Sequence, residues 1–154
     1  MLRLIMGVSA DGLVARGPED DMSWLGPWDK KAFRMLTMAG GVCGVSSVTR
    51  RLMPPELPGR TLFTLSTKHV SGAMTLDRFA RLHSGAWLLG GQRLAMVAFA
   101  HGLVGEVHLC RSDRIAGAGV RDMVTPYLRE RGWVLAASPV RLGDTRVECW
   151  RHGA

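Results

Sequence analysis

The sequence predicts an α/β protein whose central sheet is mainly parallel, with an antiparallel hairpin at its C-terminal edge and helices on both faces. Short apolar runs that end in glycine or turn residues alternate with segments whose apolar residues recur at helical spacing, as in parallel sheets with crossover helices. The last two apolar runs, 133–140 and 145–152, are separated by a turn at 142–144, which indicates a hairpin. With 154 residues, we expect one domain spanning 1–154.

The first elements follow from local patterns. Residues 2–8, LRLIMGV, form an apolar run that Asp11-Gly12 ends, which predicts a buried strand followed by a turn. Residues 13–26 are rich in Gly, Pro and Asp, and a connection of this length is typical of a lid or binding loop. Apolar residues at helical spacing then predict a helix over 28–38.

The later elements alternate in type. GVCGV at 41–45 predicts a short strand, and Ser46-Ser47 can cap a helix that runs to about Met53, where Pro54-Pro55 end it. Further strands are predicted at 61–66, 86–91 and 104–112, and further helices at 75–83, 92–100 and 122–131.

The chain is basic, with 20 Lys and Arg against 13 Asp and Glu and a net charge of +7. Such a surface attracts anions, which include nucleic acid, acidic membrane and phosphorylated small molecules. No apolar run reaches the roughly 18 residues of a spanning helix, and the N-terminus lacks a signal-peptide pattern, so we expect a cytoplasmic protein. The three cysteines lack the spacing of a disulfide scaffold or a zinc motif, so no metal site is expected.

Asp29 is the first candidate functional residue, because it lies in the first turn of a predicted helix after a Trp-rich loop. One interpretation is that its carboxylate only favours the helix N-terminus. The other is that a carboxylate beside Trp24 and Phe33 binds a flat, amidine-like heterocycle through two hydrogen bonds. Desolvation would then raise its pKa, which suits proton handling.

Three further motifs each have a structural and a functional interpretation. Leu57-Pro58-Gly59-Arg60 is either a β-turn with an exposed arginine or a fixed arginine that binds a carboxylate. Gly90-Gly91, between a strand and a helix, is either a tight turn or a site where backbone approaches a phosphate. The segment Gly44 to Ser47 is either a helix cap or another anion site.

The order and spacing of these motifs resemble those of dihydrofolate reductases along nearly the whole chain. The strongest part is Trp24 followed by Pro27-x-Asp29 and Phe33, with LPGR downstream. The matching segments are LIMGVSADGLVA at 4–15, MSWLGPWDKKAF at 22–33, LPGRTLFTLST at 57–67, WLLGGQRL at 87–94 and the final VECWRH.

The resemblance implies a role for each residue of the substrate half. Asp29 would bind the pterin ring and promote protonation of its N5, and Trp24 would hold an ordered water near that ring. Arg60 would bind the α-carboxylate of the glutamate tail, with the hydroxyl of Thr37 supporting it. The other substrate-binding residues implied are Ile5, Met6, Phe33, Leu52, Leu57, Leu89 and Cys110.

The resemblance also implies a cofactor half that binds NADPH under a mobile lid at 9–24. Gly90-Gly91 would carry the cis peptide bond typical of the family. Because Val45 replaces the usual arginine beside the 2′-phosphate, use of NADH is also expected to be possible. The cofactor-binding residues implied are Gly7, Ala15, Gly44, Ser46, Ser47, Ser66, Thr67, Lys68, Gly90, Gly91, Gln92 and Arg93.

The implied activity is reduction of 7,8-dihydrofolate to 5,6,7,8-tetrahydrofolate, by hydride transfer to pterin C6 with N5 protonation promoted by Asp29. Two alternatives remain open. One is a reductase of the same fold that acts on another heterocycle, such as the pyrimidine of riboflavin synthesis. The other is a binding protein on this scaffold with weakened catalysis. The expected partners are dihydrofolate and NADPH, without nucleic acid or membrane, in a monomer or homodimer.

Overall fold

The computed structural model describes residues 1–68 and 73–153. Its strands are β1 (Leu2–Val8), β2 (Leu13–Ala15), β3 (Val42–Ser46), β4 (Thr61–Ser66), β5 (Met74–Thr75), β6 (Trp87–Leu89), β7 (Val104–Ser112), β8 (Val120–Arg121), β9 (Trp133–Leu135), β10 (Val140–Leu142) and β11 (Thr145–His152). Its α-helices are α1 (Pro27–Thr37), α2 (Ser47–Leu52), α3 (Leu76–Leu82), α4 (Gln92–Ala100) and α5 (Val124–Glu130), and a short 3-10 turn covers Ser23–Leu25.

The predicted α/β architecture is confirmed. The main sheet has the order β10-β11-β7-β1-β6-β3-β4-β5, and β9 also pairs with β11. All strands from β7 across to β5 are parallel to their neighbours, whereas β11 runs antiparallel to β7, β9 and β10. The predicted antiparallel C-terminal edge is therefore also confirmed.

Two apolar cores lie on opposite faces of the sheet, because successive side chains of a buried strand point to opposite sides. On one face, Leu4 and Val8 of β1 join a cluster with side chains of α3, α4 and α5. On the other face, Ile5 of β1 joins a cluster that includes Ala32 of α1. The helices thus cover both faces, as right-handed crossovers in opposite directions require.

The C-terminal hairpin differs from its prediction in one respect. The strand expected over 133–140 is two short strands, β9 and β10, separated by the exposed residues 136–139. β10 pairs with the start of β11 (Val140 with Val147), and β9 pairs with its end (Trp133 with His152). Pro139 lies in the interruption, where its missing N–H is tolerated because no ladder bond is needed there.

Three very short strands were not predicted, namely β2, β5 and β8. β2 and β8 pair only with each other, and this ribbon ties the long connection after β1 to the segment before α5. Strands of two or three residues carry too few side chains to show a period of two in the sequence. Within the described residues, no helix has the length and apolar character needed to cross a membrane.

Candidate active site

β1 and β6 lie side by side in the middle of the sheet, and the crevice expected of an open α/β sheet lies at their carboxyl ends. The chain leaves β1 through α1 towards β3, and it leaves β6 through α4 towards β7 on the opposite side. In an open α/β sheet, ligands bind where two neighbouring strands send their connections in opposite directions. The fold therefore places its candidate site between the ends of β1 and β6.

Asp29 lies in the first turn of α1 and points towards β1 at this crevice. A Cβ added to Gly7 would lie 3.2 Å from Asp29 Oδ1 and 2.8 Å from Leu25 Cδ1, so glycine permits this close approach of helix and strand. No group among the described residues donates a hydrogen bond to the Asp29 carboxylate, although it is mostly buried. Burial, together with the negative charge of Asp144, raises the pKa of Asp29 to about 6.

An apolar cluster lies on the α1 side of the sheet, and its member Cys110 is near this carboxyl group. Ile5, Leu89 and Cys110 belong to one buried cluster, and Phe33 and Leu57 pack against it. Burial raises the pKa of the Cys110 thiol to about 12, and the nearby charge of Asp29 acts in the same direction. These five residues, all expected to line the substrate slot, are therefore brought together on one face.

Two other residues expected in the slot lie elsewhere. Met6 belongs to the cluster on the opposite face of the sheet, because the pleat of β1 alternates it with Ile5 and Gly7. Leu52 is half-buried in the last turn of α2, and it is not among the described residues that pack against the cluster of Ile5, Leu89 and Cys110. Its neighbour Met53 does pack against that cluster. In the sequence, Met53 was identified only as the end of a helix.

Arg60 and Thr37 are in contact, as the resemblance implied. Arg60 Nη1 donates to Thr37 Oγ1 at 3.1 Å, and Arg60 Nε donates to the carbonyl of Pro58 at 3.2 Å. Thr37 is fully buried, and its hydroxyl donates to the carbonyl of Phe33 at 2.7 Å. The guanidinium lies 5.9 Å from the centroid of the Phe33 ring. The arginine is thus fixed in direction, with a further nitrogen, Nη2, left for a ligand.

On the other side of the crevice, the Gly90-Gly91 turn lies next to the start of α2. Both glycines have positive φ, 64° and 74°, and their peptide bond is trans, so the expected cis bond is not present. The chain turns here through two consecutive residues in the left-handed conformation, which glycine adopts readily. A Cβ on Gly91 would lie 3.2 Å from the hydroxyls of Ser46 and Thr49, whereas the space beside Gly90 is open to 4 Å.

The start of α2 agrees with the prediction that Ser46 and Ser47 cap a helix. Ser46 caps the helix, since its Oγ accepts a hydrogen bond from the Thr49 amide at 3.2 Å. Gly44 and Val45 are interior residues of β3. A Cβ on Gly44 would meet Leu65 and Phe79, and Val45 is 0% exposed.

Two earlier assignments are therefore corrected. Gly44 packs inside the core rather than beside a ligand, and Val45 does not occupy the place of an arginine that faces a 2′-phosphate. The exposed positions in the first turn of α2 are Ser47 and Val48.

Other residues expected to bind the cofactor lie at the end of β4 and at the start of α4. Gln92 donates through Nε2 to the carbonyl of Arg121 and accepts through Oε1 from the amide of Met123, both at 2.8 Å. The side-chain amide of Gln92 therefore holds the segment before α5 in place. Arg93 is exposed.

Ser66 bends the chain at the end of β4, because its Oγ accepts from the amide of Lys68 at 3.1 Å. Ser66 and Thr67 line a small pocket with Val97 of α4, and Thr67 and Lys68 are exposed. A second depression, lined in part by Thr64, Ala73 and Arg78, has none of the expected site residues among its described lining residues.

The long connection after β1 is fastened to the segment that follows β7. Asp11 accepts hydrogen bonds from the amides of Ala116 and Gly117, both at 2.9 Å. The hydrogen bond from the Ser9 hydroxyl, followed by these two, lowers the pKa of Asp11 to about 2. Ala15 pairs with Val120 across the β2–β8 ribbon. The connection is therefore held to the segment between β7 and β8 and to β8 itself.

Trp24 lies at the end of this connection. Its Nε1 donates to Asp20 Oδ2 at 2.9 Å, and the guanidinium of Arg16 lies 4.6 Å from its ring centroid. The indole N–H is thus engaged by the connection itself.

Arg114 and Asp144 are site neighbours that the sequence analysis missed. Arg114 Nε donates to Asp144 Oδ2 at 2.9 Å, and its Nη1 donates to the carbonyl of Trp24 at 3.1 Å. Gly143, beside Asp144, packs against the Trp28 indole, because a Cβ there would overlap the ring. No local sequence pattern identifies these residues. Asp144 comes near Asp29 because of the position of the C-terminal hairpin, and Arg114 is held there by its bond to Asp144.

Comparison with known proteins identifies the fold. No family model matches the sequence, and no curated protein matches it. Among solved structures, the chain is similar to a dihydrofolate reductase from Enterococcus faecalis complexed with NADP(H) and RAB-propyl. The TM-score is 0.71 at 16% sequence identity, over 100% of this chain and 97% of that one. The chain therefore has the dihydrofolate reductase fold over its whole length.

Proposed function

We propose that this protein is an NADPH-dependent dihydrofolate reductase. The observation that carries the proposal is Asp29, a mostly buried carboxyl group to which no described residue donates a hydrogen bond, with a pKa raised to about 6. A buried carboxylate without a protein partner is costly unless a ligand satisfies it. Two adjacent N–H groups on a pterin, as in an amidine, match both of its oxygens.

The apolar cluster on the α1 side of the sheet supports a flat heterocycle in this position. Ile5, Phe33, Leu57, Leu89 and Cys110 present apolar surface or a weakly polar thiol there, and Cys110 is near Asp29. A ring that stacks there is desolvated, and only its amidine edge meets a charged group. The slot therefore selects a planar ring with one polar edge.

Arg60 supports a substrate with a carboxylate beyond the ring. Its guanidinium is oriented by Thr37 and by the carbonyl of Pro58, which lowers the entropy lost when it binds an anion. The α-carboxylate of a glutamate tail matches this group in charge and geometry. The combination of Asp29 and Arg60 is what favours dihydrofolate over a heterocycle without an acidic tail.

The cofactor side fits a nicotinamide dinucleotide. The space beside Gly90 is open, α4 begins at Gln92 without a side-chain cap, and the hydroxyls of Ser46 and Thr49 lie next to Gly91. Free backbone N–H groups at a helix start and nearby hydroxyls suit a pyrophosphate. Ser66 and Thr67 would then face the adenosine. When bound, this cofactor supplies a hydride.

The chain's own contribution is to position the ring, exclude water and manage one proton. Near neutral pH, a carboxyl with a pKa of about 6 is mostly ionised but holds a proton in a usable fraction of molecules. It can therefore bind the amidine edge as a carboxylate and raise the proton affinity of the ring for protonation at N5. The connection over 9–24, held by Asp11, would cover the bound ring from solvent.

Turnover tests the proposal directly. The absorbance of reduced nicotinamide is followed with dihydrofolate and with NADPH or NADH, for the unaltered protein and for Asp29→Asn. We expect dihydrofolate-dependent oxidation of the cofactor that Asp29→Asn reduces at least about a hundredfold, the scale of general acid–base effects. Asp21→Asn is the matched control, because Asp21 is an exposed carboxylate on the same loop.

Other outcomes would contradict the proposal in distinct ways. Cofactor oxidation with an aminopyrimidine substrate but not with dihydrofolate would identify a reductase of another heterocycle. Folate-induced thermal stabilisation without turnover would identify a binding protein on this scaffold. Equal turnover by the unaltered protein and Asp29→Asn would remove Asp29 from the chemistry.

A further inference from the structure

Glu106, His108 and Cys149 form a cluster of ligating side chains away from the candidate active site. Glu106 and His108 alternate on β7, so they share a face of the sheet, and Cys149 of β11 is the direct cross-strand partner of His108. This face of the sheet is the one against which α1 packs. Cys110, which belongs to the cluster that includes Ala32 of α1, lies on the same face two residues beyond His108 on β7. The cluster of Glu106, His108 and Cys149 therefore lies about 7 Å along the strand from Cys110.

The three donor atoms converge. His108 Nε2 lies 2.6 Å from Glu106 Oε1 and 3.9 Å from Cys149 Sγ, and one donor atom from each residue lies within 4.8 Å of the others. His108 is buried, and the other two residues are half-buried, so the cluster has a limited opening to solvent. The imidazole ring of His108 also packs against the Trp87 ring, with ring centroids 5.1 Å apart.

We propose that Glu106, His108 and Cys149 bind a divalent metal ion of the zinc class. Thiolate, imidazole and carboxylate together form a donor set that suits zinc, whereas magnesium and calcium prefer oxygen donors alone. Three protein ligands from two antiparallel strands leave one tetrahedral position for water. Binding replaces the thiol proton of Cys149 with the metal, and the proton is released to solvent.

The observed spacing is close to what tetrahedral zinc requires. Bond lengths of about 2.0 Å to nitrogen and oxygen and about 2.3 Å to sulfur place neighbouring donors roughly 3.3 to 3.5 Å apart. His108 Nε2 and Cys149 Sγ, at 3.9 Å, need to approach slightly, and Nε2 and Glu106 Oε1, at 2.6 Å, need to separate. Both changes require side-chain rotation, and the second replaces the hydrogen bond between His108 and Glu106 with bonds to the metal.

The surroundings orient the carboxylate. Arg151 Nε and Nη2 both lie 2.8 Å from Glu106 Oε2, which leaves Oε1 directed at His108. Such a hydrogen bond to the distal oxygen of a ligating carboxylate is a common feature of metal sites. The nearby Arg3 is directed elsewhere, since it donates to the carbonyls of Gly85 and Ala39 and lies 4.1 Å from the Trp87 ring centroid.

The surroundings of the His108 imidazole limit the affinity of the proposed site for a metal ion. His108 Nδ1 is buried and has no hydrogen-bond partner among the described residues. With Nε2 on the metal, Nδ1 carries the proton, and the lack of an acceptor for it weakens binding relative to a site with a complete outer shell. We therefore expect a dissociation constant well above that of structural zinc fingers.

Cobalt(II) titration of the purified full chain tests the site. We expect one equivalent of Co²⁺ to produce a thiolate-to-cobalt charge-transfer band, which zinc then abolishes by displacement. Cys149→Ser should eliminate the band, and Glu106→Gln and His108→Gln should each weaken binding at least about tenfold, the usual loss for a metal ligand or its neighbour. Cys43→Ala is the matched control, because Cys43 is a buried thiol of the other half of the sheet.

Zinc-dependent melting provides a second readout that needs no variant. Because the metal would join β7 to β11, a hundredfold excess over the dissociation constant should raise the melting temperature by about 5 °C. Absence of the band and of the shift would overturn the proposal. So would a band that survives in Cys149→Ser, or binding that Glu106→Gln and His108→Gln leave unchanged. Neither readout depends on the reductase activity proposed above.

Discussion

The Nε atom of Arg114 lies 2.9 Å from Oδ2 of Asp144, and this ion pair joins the turn of the C-terminal hairpin to the segment that follows β7. The same guanidinium donates to the carbonyl of Trp24 and packs against Gly26, the residue that precedes α1. The hairpin, the lid connection and the first turn of α1 are thus held by one side chain. The negative charge of Asp144 is at the same time one of the causes of the raised pKa of Asp29.

Asp144→Asn should lower the pKa of Asp29. The charge of Asp144 disfavours ionisation of Asp29, so its removal moves the pKa from about 6 towards the ordinary value of 3.8. The pKa should remain above 3.8, because burial is the larger cause. Carboxyl carbon chemical shifts followed through a pH titration measure this without any assay of activity.

A matched control for this titration is Asp113→Asn, which removes an exposed carboxylate that is paired with Arg141. It should leave the titration of Asp29 unchanged. An unchanged Asp29 pKa in Asp144→Asn itself, or an upward shift, would show that the two carboxylates do not interact.

Asp29→Asn should stabilise the folded protein near neutral pH. Since the pKa of Asp29 is about 6 in the folded state and near 3.8 in the unfolded state, the folded state binds more protons between these values, and stability falls as pH rises through them. The difference of about two units corresponds to about 3 kcal/mol. The variant should therefore be more stable by up to this amount at pH 7 and equal to the unaltered protein below about pH 4.

Urea unfolding at both pH values provides the measurement, with Asp21→Asn as the control on an exposed carboxylate. A gain in stability that is the same at both pH values would mean that it does not come from the ionisation of Asp29.

Thr37→Val should weaken substrate binding through Arg60. The variant keeps the shape of the side chain but removes the hydroxyl that accepts from Arg60 Nη1 and donates to the carbonyl of Phe33. Loss of this orientation should raise the KM for dihydrofolate about tenfold, the equivalent of one hydrogen bond to a charged group, with a smaller change in kcat. Steady-state kinetics separate the two constants.

A truncated substrate that lacks the glutamate tail is the control for this effect, and Thr37→Ser should restore the behaviour of the unaltered protein. If Thr37→Val raises KM equally for the intact and the truncated substrate, Thr37 does not act through binding of the tail carboxylate.

Val48→Arg, and not Val45→Arg, should increase preference for NADPH over NADH. Val48 is 49% exposed in the first turn of α2, whereas Val45 is 0% exposed in the core. An arginine at 48 can meet a 2′-phosphate from solvent, and a charge-assisted contact corresponds to about a tenfold change in the ratio of the two dissociation constants. Fluorescence titration with each cofactor measures that ratio.

Val45→Arg should instead destabilise the fold by several kcal/mol, because it buries an unpaired charge. A folded Val45→Arg protein with improved NADPH binding would contradict this assignment of the α2 start. Equal tightening of both cofactors by Val48→Arg would show that position 48 lies away from the 2′-phosphate.

Much of the fold could be predicted because its main elements carry their own periodic patterns. β1 and β7 have the predicted bounds, and the predicted helices are all present with ends shifted by a few residues. The strand predicted at 41–45 ends one residue later, because the ladder of β3 with β4 continues to Ser46. Pairing with a neighbour, which no local pattern reports, decided where that strand ends.

The structure brings together more of the residues expected on the substrate side than of those expected on the cofactor side. Asp29, Phe33 and Arg60 stand in a spaced motif, and their side chains reach one face because α1 and the LPGR turn each have a regular local structure. Met6 was placed wrongly because adjacent strand residues look equivalent in sequence, while the pleat sends them to opposite faces.

The sequence by itself determined the class of fold, the order of its elements and the residues that resemble a folate site. Only the tertiary structure decided the partnerships between distant residues: Asp144 beside Asp29, Arg114 on Trp24, and Cys149 opposite His108. The physical reason is that periodicity along the chain encodes which face of an element is buried. The meeting of two elements depends instead on strand register and helix packing, which are properties of the assembled sheet.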